Sequence, residues 1–262
     1  MRIRTATVAG IAALALSLTA CEDGTTTVPV TTGPGTTATT SATTATTTVT
    51  TRPGSSKLTA SSVRVNGSEG RVSYDVRVPQ LEPGTGAAAA EFNASMRELL
   101  RGFVSGHQVG DEDPAVSIAD PNGRSVVEHI GGRAVSGLLW VSFDGGGAHP
   151  WSMLASHVTD LRTGEAIGLG DLFTDSRAGL DVLAAQAAEL GPKTRAGDAF
   201  DPRGASASSE NFQVWTATPD GMRIYFEQGS VGPSAMGVVD ITVPWSELSA
   251  VLAPGMQDVL AG

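Results

Sequence analysis

From Thr25 to Thr51 the chain has 27 residues, 16 of them threonine, interleaved with Ala, Gly, Pro, Val and one Ser and carrying no charge. Ordering a residue costs about 1 to 2 kcal/mol, and this stretch has no large apolar side chain with which to offset it. It is therefore expected to stay a linker, and the folding part of the chain must lie beyond it. Thr with Pro also suits O-glycosylation, which would stiffen the segment. As a flexible coil, residues 22 to 56 average about 30 Å end to end; fully extended they reach about 110 Å.

The residues before the linker have the layout of an export signal. Arg2 and Arg4 form the basic end, and an apolar run extends from Val8 to Leu18. A bilayer needs roughly 20 apolar residues to be crossed, so this run reads as a signal core over residues 1–20 and not as a transmembrane helix. Leu18-Thr19-Ala20-Cys21 then matches the bacterial lipobox, whose thiol accepts a diacylglyceryl group before the signal is cut. The plainer alternative is an ordinary signal peptide followed by a chance cysteine. Cys21 is the one cysteine of the chain, so it has no intramolecular disulfide partner, which favours lipidation. Each buried CH₂ of an acyl chain contributes about 0.8 kcal/mol, and two or more chains anchor stably. The expectation is a lipoprotein held to the outer face of the cell membrane through Cys21, with residues 21–56 as its tether.

Residues 57–262 are long enough for a sizeable core, divided for description into an N-terminal half, 57–135, and a C-terminal half, 136–262. They hold 14 of the 17 basic and 25 of the 27 acidic residues, a net charge of −11. Nucleic acid and anionic lipid are poor partners for such a surface; a basic protein or cationic ligand is a better one.

Periodicity predicts a mixed domain. Ser62–Asn66 and Arg71–Val78 alternate around Asn66-Gly67 and read as a hairpin of two half-buried strands. Between Ala87 and Val104 the side chains Phe92, Met96, Leu99, Leu100 and Phe103 make the stripe of an amphipathic helix. Ser125–Ile130 and Ala134–Phe143 flank Gly131-Gly132 as a second hairpin, and Trp151–Leu161 is the next strand. A second helix is expected over Arg177–Leu190, stopped by Gly191-Pro192. Phe212–Ala217 and Met222–Glu227 form a third hairpin around Pro219-Asp220, Val238–Val243 is the last strand, and Pro244 opens a short helix through Leu252. The class is α+β, an antiparallel or mixed sheet of hairpins with two or three helices packed on it.

No catalytic set stands out. A glycine-rich bend, Gly145-Gly146-Gly147, precedes His149 and could offer its imidazole as a general base, the alternative being a tight turn in which His149 bonds to the neighbouring loop. His149 and His157 are eight residues apart on one strand, too far at about 3.3 Å per residue to share a metal. Asp144, His149 and Ser152 are the residue types of a triad, but no Gly-x-Ser-x-Gly elbow presents the serine. The glycines lead into a strand and no helix follows them, so a phosphate cradle is unsupported. Trp140, Trp151, Trp215 and Trp245 read as core or rim, and Asp111-Glu112-Asp113 as a solvated loop that could steer a basic partner.

Several blocks resemble, in order, the extracellular domain of RsiV-type anti-sigma factors and the related secreted mycobacterial antigens. They are Asp144 through Pro150, Thr163-Gly164-Glu165, Gly170-Asp171-Leu172-Phe173, Asn211-Phe212, Asp220-Gly221, Tyr225-Phe226 and Gly237 to Pro244. Upstream, Val78-Pro79-Gln80-Leu81 and Glu91-Phe92-Asn93 are similar to the half that precedes this domain. The resemblance implies an α+β fold, no cofactor, and binding at the envelope, lysozyme being what RsiV recognises. Two departures matter. The cytoplasmic segment and membrane helix of an anti-sigma factor are not seen, and Pro233 is followed by Ser234-Ala235-Met236 where the family usually places a tyrosine. Gly146, Gly147, His149, Pro150, Asp171 and Pro233 are the candidate binding residues. The expected function is non-catalytic binding of a lysozyme-like protein or a cell-wall ligand; the alternative is an envelope hydrolase or esterase using His149.

Overall fold

The computed structural model describes residues 57–262; the expected signal segment, Cys21 and the Thr-rich tether lie outside them. The first structural unit is a strand, helix, strand crossover. β2 (Val72–Glu82) leads into α1 (Ala87–Gly106), which returns the chain to β3 (Val116–Ala119), paired parallel to β2. β1 (Thr59–Glu69) lies antiparallel against the other edge of β2. The register joins Glu69 to Val72, so the hairpin turns at Gly70-Arg71 and not at Asn66-Gly67 as expected. Gly70 has φ +58°, the left-handed conformation this turn requires, whereas Gly67 sits inside the ladder opposite Tyr74. β1 is largely exposed, which corrects the expectation of two half-buried strands: as the edge of the sheet it has little of α1 above it.

α1 is placed by its apolar stripe, with Phe92, Met96, Leu100 and Val104 buried against Val72, Val76, Ile118, Leu139 and Val141. Asn93 locks its register. Its Oδ1 accepts from the backbone N–H of Leu81 at 2.6 Å and its Nδ2 donates to the Leu81 carbonyl at 3.0 Å. Gly137 lets the helix come close, because a Cβ there would stand 2.6 Å from Phe92 Cζ.

β5 (Ala134–Asp144) is the spine of the larger sheet. One edge pairs along its whole length with β6 (Trp151–Asp160). The other edge takes two strands in succession, β4 (Val126–Ile130) beside Val135–Leu138 and β3 beside Ser142–Asp144. The segment Asp120–Arg124 between them leaves the sheet, and Ser125 holds the gap by accepting from the Trp140 N–H and donating to its carbonyl. β5 is buried on both faces: Leu139 and Val141 meet α1, while Leu138 and Trp140 join Leu154, Tyr225 and Val238 on the other side.

That other side is covered by a second sheet, the antiparallel β7 (Trp215–Thr218), β8 (Gly221–Phe226) and β9 (Val239–Pro244). Two bonds tie the sheets at β7: Ser136 Oγ donates to the Ala217 carbonyl at 2.7 Å, and the Trp215 N–H donates to Ser156 Oγ at 2.9 Å. α2 (Ser176–Leu190) buries Leu183 and Ala187 in the core formed with the smaller sheet, and Asp175 caps its start by accepting from the N–H groups of Arg177 and Ala178. α3 (Trp245–Leu248) and α4 (Met256–Leu260) complete that layer with Trp245, Leu248, Val259 and Leu260. The class is α+β as expected, in two sheets with four α-helices among the described residues. Several elements depart from expectation, among them β3, which the periodicity does not predict. Phe212 ends a 3-10 turn and is not in a strand, and the helix after Pro244 stops at Leu248 and is followed by α4; α2 does stop before Gly191-Pro192, which open a 3-10 turn. The division at 135/136 falls within β5, whose two faces serve different cores, so the halves are not separate structural units.

Candidate functional site

Gly146, Gly147, His149 and Pro150 all lie in the exposed loop between β5 and β6. Gly146 turns it, with φ +77° and its N–H on Asp144 Oδ1 at 2.9 Å. His149 is exposed, and the described residues give its ring no hydrogen-bond partner, so the bond to a neighbouring loop does not form. Pro233 is also exposed and opens the 3-10 turn Ser234–Met236. Its segment reaches the same end of β6: the Ser152 N–H meets Gln228 Oε1 at 3.4 Å, and a Cβ on Gly229 would stand 3.7 Å from the Trp151 ring. Asp171 does not join them. It follows the far end of β6, where Ala166 bridges Thr159, and its Oδ2 accepts from the Gly168 N–H at 2.9 Å to close its own turn.

Near the shared end of β6 the structure opens a cleft of about 340 Å³, lined by Glu210, Asn211, Gln213, Tyr225, Glu227 and Ser230 among others. Each wall follows from local sequence. The 3-10 turn Ser209–Phe212 buries Phe212 and thereby turns Glu210 outward; β8 ends at Phe226 and releases Glu227 into solvent. The Ser230 hydroxyl and N–H both bond to the Glu227 carbonyl, holding the loop back toward the strand. Asn211 is spent on its own turn, donating to the Ser206 carbonyl at 2.9 Å.

Tyr225 forms the buried inner wall, its ring edge-on to Trp140 at 6.5 Å. Burial first, and the Glu128 carboxylate second, push its phenol well above the ordinary range despite the nearby Arg223 guanidinium. It stays neutral at physiological pH and offers a surface, not a base. Trp151 stands beside this region with 44 % of its surface exposed, the most exposed large apolar side chain of the described residues. Two exposed carboxylates, an amide and an adjacent aromatic suit a cationic side chain of a partner.

The glutamates of this cleft were missed in the sequence. Asn211 and Tyr225 lie in blocks that carry the resemblance, and Glu210 and Glu227 directly flank those blocks; that adjacency was the available signal. Among the described residues no cluster of three or more His, Cys, Asp or Glu could hold a metal, and no helix is long and apolar enough to cross a membrane.

Glu210 and Glu227 fall inside a segment with relatives. Residues 170–246 match the model of a protein family of unknown function, DUF3298. Two solved DUF3298 structures share the fold. One, from Bacteroides fragilis, is 16% identical with a TM-score of 0.55 and aligns over 78% of this chain and 98% of its own. The other, from Pseudomonas aeruginosa, is also 16% identical, with a TM-score of 0.52, over 77% of this chain and 97% of its own. At that identity the likeness to DUF3298 proteins concerns the fold. No curated protein matches the chain.

Proposed function

We propose that this chain is a cell-envelope lipoprotein whose DUF3298-type domain binds a basic protein, lysozyme-like in charge, or a cationic wall component, without catalysing a reaction. The cleft beside Trp151 carries this reading. It sets Glu210 and Glu227, on either side of the β7–β8 hairpin, around one concave surface, and it belongs to a domain of net charge −11. The RsiV-type resemblance of the flanking blocks points the same way. The Cys21 lipobox and the Thr-rich segment supply the anchor and the reach.

The test is titration of the full chain, in non-ionic detergent, with lysozyme and with wall fragments at two salt concentrations. Binding is expected at low salt, weakened as salt screens the contact, and reduced at least tenfold by Glu210→Lys with Glu227→Lys. Absence of binding at low salt, or equal binding by the doubly reversed chain, refutes the reading. Mass spectrometry of the membrane-bound form tests the anchor independently, since a mature chain lacking acylated Cys21 removes it.

A further inference from the structure

The smaller sheet covers β5 and its neighbours but leaves the outer face of β1 and β2 open, and that face carries an unusual arrangement of charge. Arg64 and Arg77 stand directly opposite each other in the β1–β2 register. Like charges in that position repel, and a sheet tolerates them only if something neutralises one or both. Asp75 neutralises Arg64, accepting from its Nε at 2.7 Å and from its Nη2 at 2.5 Å. Arg77 is exposed and has no such partner among the described residues.

Arg77 lines a cleft of about 410 Å³ whose far wall is the Asp120–Gly123 excursion between β3 and β4. The excursion is shared with a smaller hollow that continues to Arg124, whose guanidinium stacks 4.5 Å above the Trp140 ring. Asp120 Oδ1 accepts from the Arg124 N–H at 3.0 Å, but its Oδ2 is buried without a partner. A carboxylate oxygen buried in that way is missing a donor. Arg64 and Arg77 thus share one concave surface with Asp75 and Asp120, and with Arg64 paired to Asp75 the fork of Arg77 is the cation left open there. The open fork of Arg77 suits a planar carboxylate.

We propose that this cleft binds the carboxylate end of a peptide, with Arg77 holding the carboxylate and the Asp120 loop receiving a peptide N–H. The site is separate from the acidic cleft and does not depend on it. N-acetyl-diglycine serves as the probe, titrated into the full chain by calorimetry in low salt. Its amide, which lacks the charge, and inorganic phosphate are the comparisons.

Saturable binding of N-acetyl-diglycine is expected, at least tenfold tighter than its amide and tighter than phosphate. Arg77→Gln weakens it at least tenfold, Arg77→Lys by less, and Arg177→Gln on α2 leaves it unchanged. Because Arg77→Gln also relieves the repulsion with Arg64, its thermal midpoint should equal or exceed that of the natural chain, so lost binding is not lost folding. Phosphate bound as tightly as the peptide overturns the assignment, as does binding unaffected by Arg77→Gln or absent altogether.

Discussion

Arg223 on β8 reaches across the seam between the two sheets and donates from Nη1 to Glu128 Oε1 on β4 at 2.7 Å. The same guanidinium donates from Nε to Asp240 Oδ2 on β9 at 3.0 Å, so one cation bridges both sheets. Glu128 is the more buried partner, its side chain 14 % exposed against 36 % for Arg223. Glu128→Ala is expected to cost about 2 kcal/mol, less than the 3–5 kcal/mol of a fully buried pair because Arg223 keeps contact with water. Chemical denaturation measures it, and adding Asp240→Ala should cost more than the sum of the two single changes. A loss below about 0.5 kcal/mol would show that apolar packing alone joins the sheets.

Asp160 closes β6 and contributes to the domain's sensitivity to acid. Burial pushes its carboxyl up, but the N–H groups of Arg162 and Thr163 and the Arg133 guanidinium outweigh burial and hold it below the ordinary carboxylate range. A folded pKa below the unfolded value means that protons favour the unfolded chain. The stabilisation is therefore complete above the unfolded value of about 3.9 and is lost as pH falls through the folded one. Unfolding free energy should decline more steeply below about pH 4 in the natural chain than in Asp160→Asn. Parallel denaturation curves for the two across pH 2.5–6, about that range, would remove Asp160 from the account.

Gly137→Ala should destabilise by about 1 to 3 kcal/mol, because its new methyl would overlap Phe92 where α1 crosses β5. Phe92→Leu in the same chain should recover part of the loss. Failure of that recovery in thermal denaturation would place the cost in the strand backbone instead.

His149→Ala should leave the stability within about 0.5 kcal/mol, since the ring is exposed in the β5–β6 loop. It should also leave unchanged any slow background turnover of a generic aryl ester. Turnover by the natural chain that disappears in His149→Ala would install the hydrolase reading in place of the binding one.

The periodic elements were readable one at a time. The α1 stripe, the Gly131-Gly132 and Pro219-Asp220 turns and the β5–β6 succession carry their own local signals, because apolar spacing and turn chemistry act within a few residues. The first hairpin shows the limit of that logic. Asn66-Gly67 is the stronger turn dipeptide, yet pairing of eleven residues on each strand, with Val72, Val76 and Val78 held under α1, moves the reversal to Gly70-Arg71.

Local signals are silent about which charges strand pairing brings together. Glu210 and Glu227 meet at one cleft because β8 folds back beside the 3-10 turn, and Arg64 and Arg77 face each other because of that same shifted register. Polar side chains on loops and open faces have no periodicity to reveal where they point. Their positions follow from which strand lies beside which, and long-range pairing is an energy of the whole chain that no short window contains.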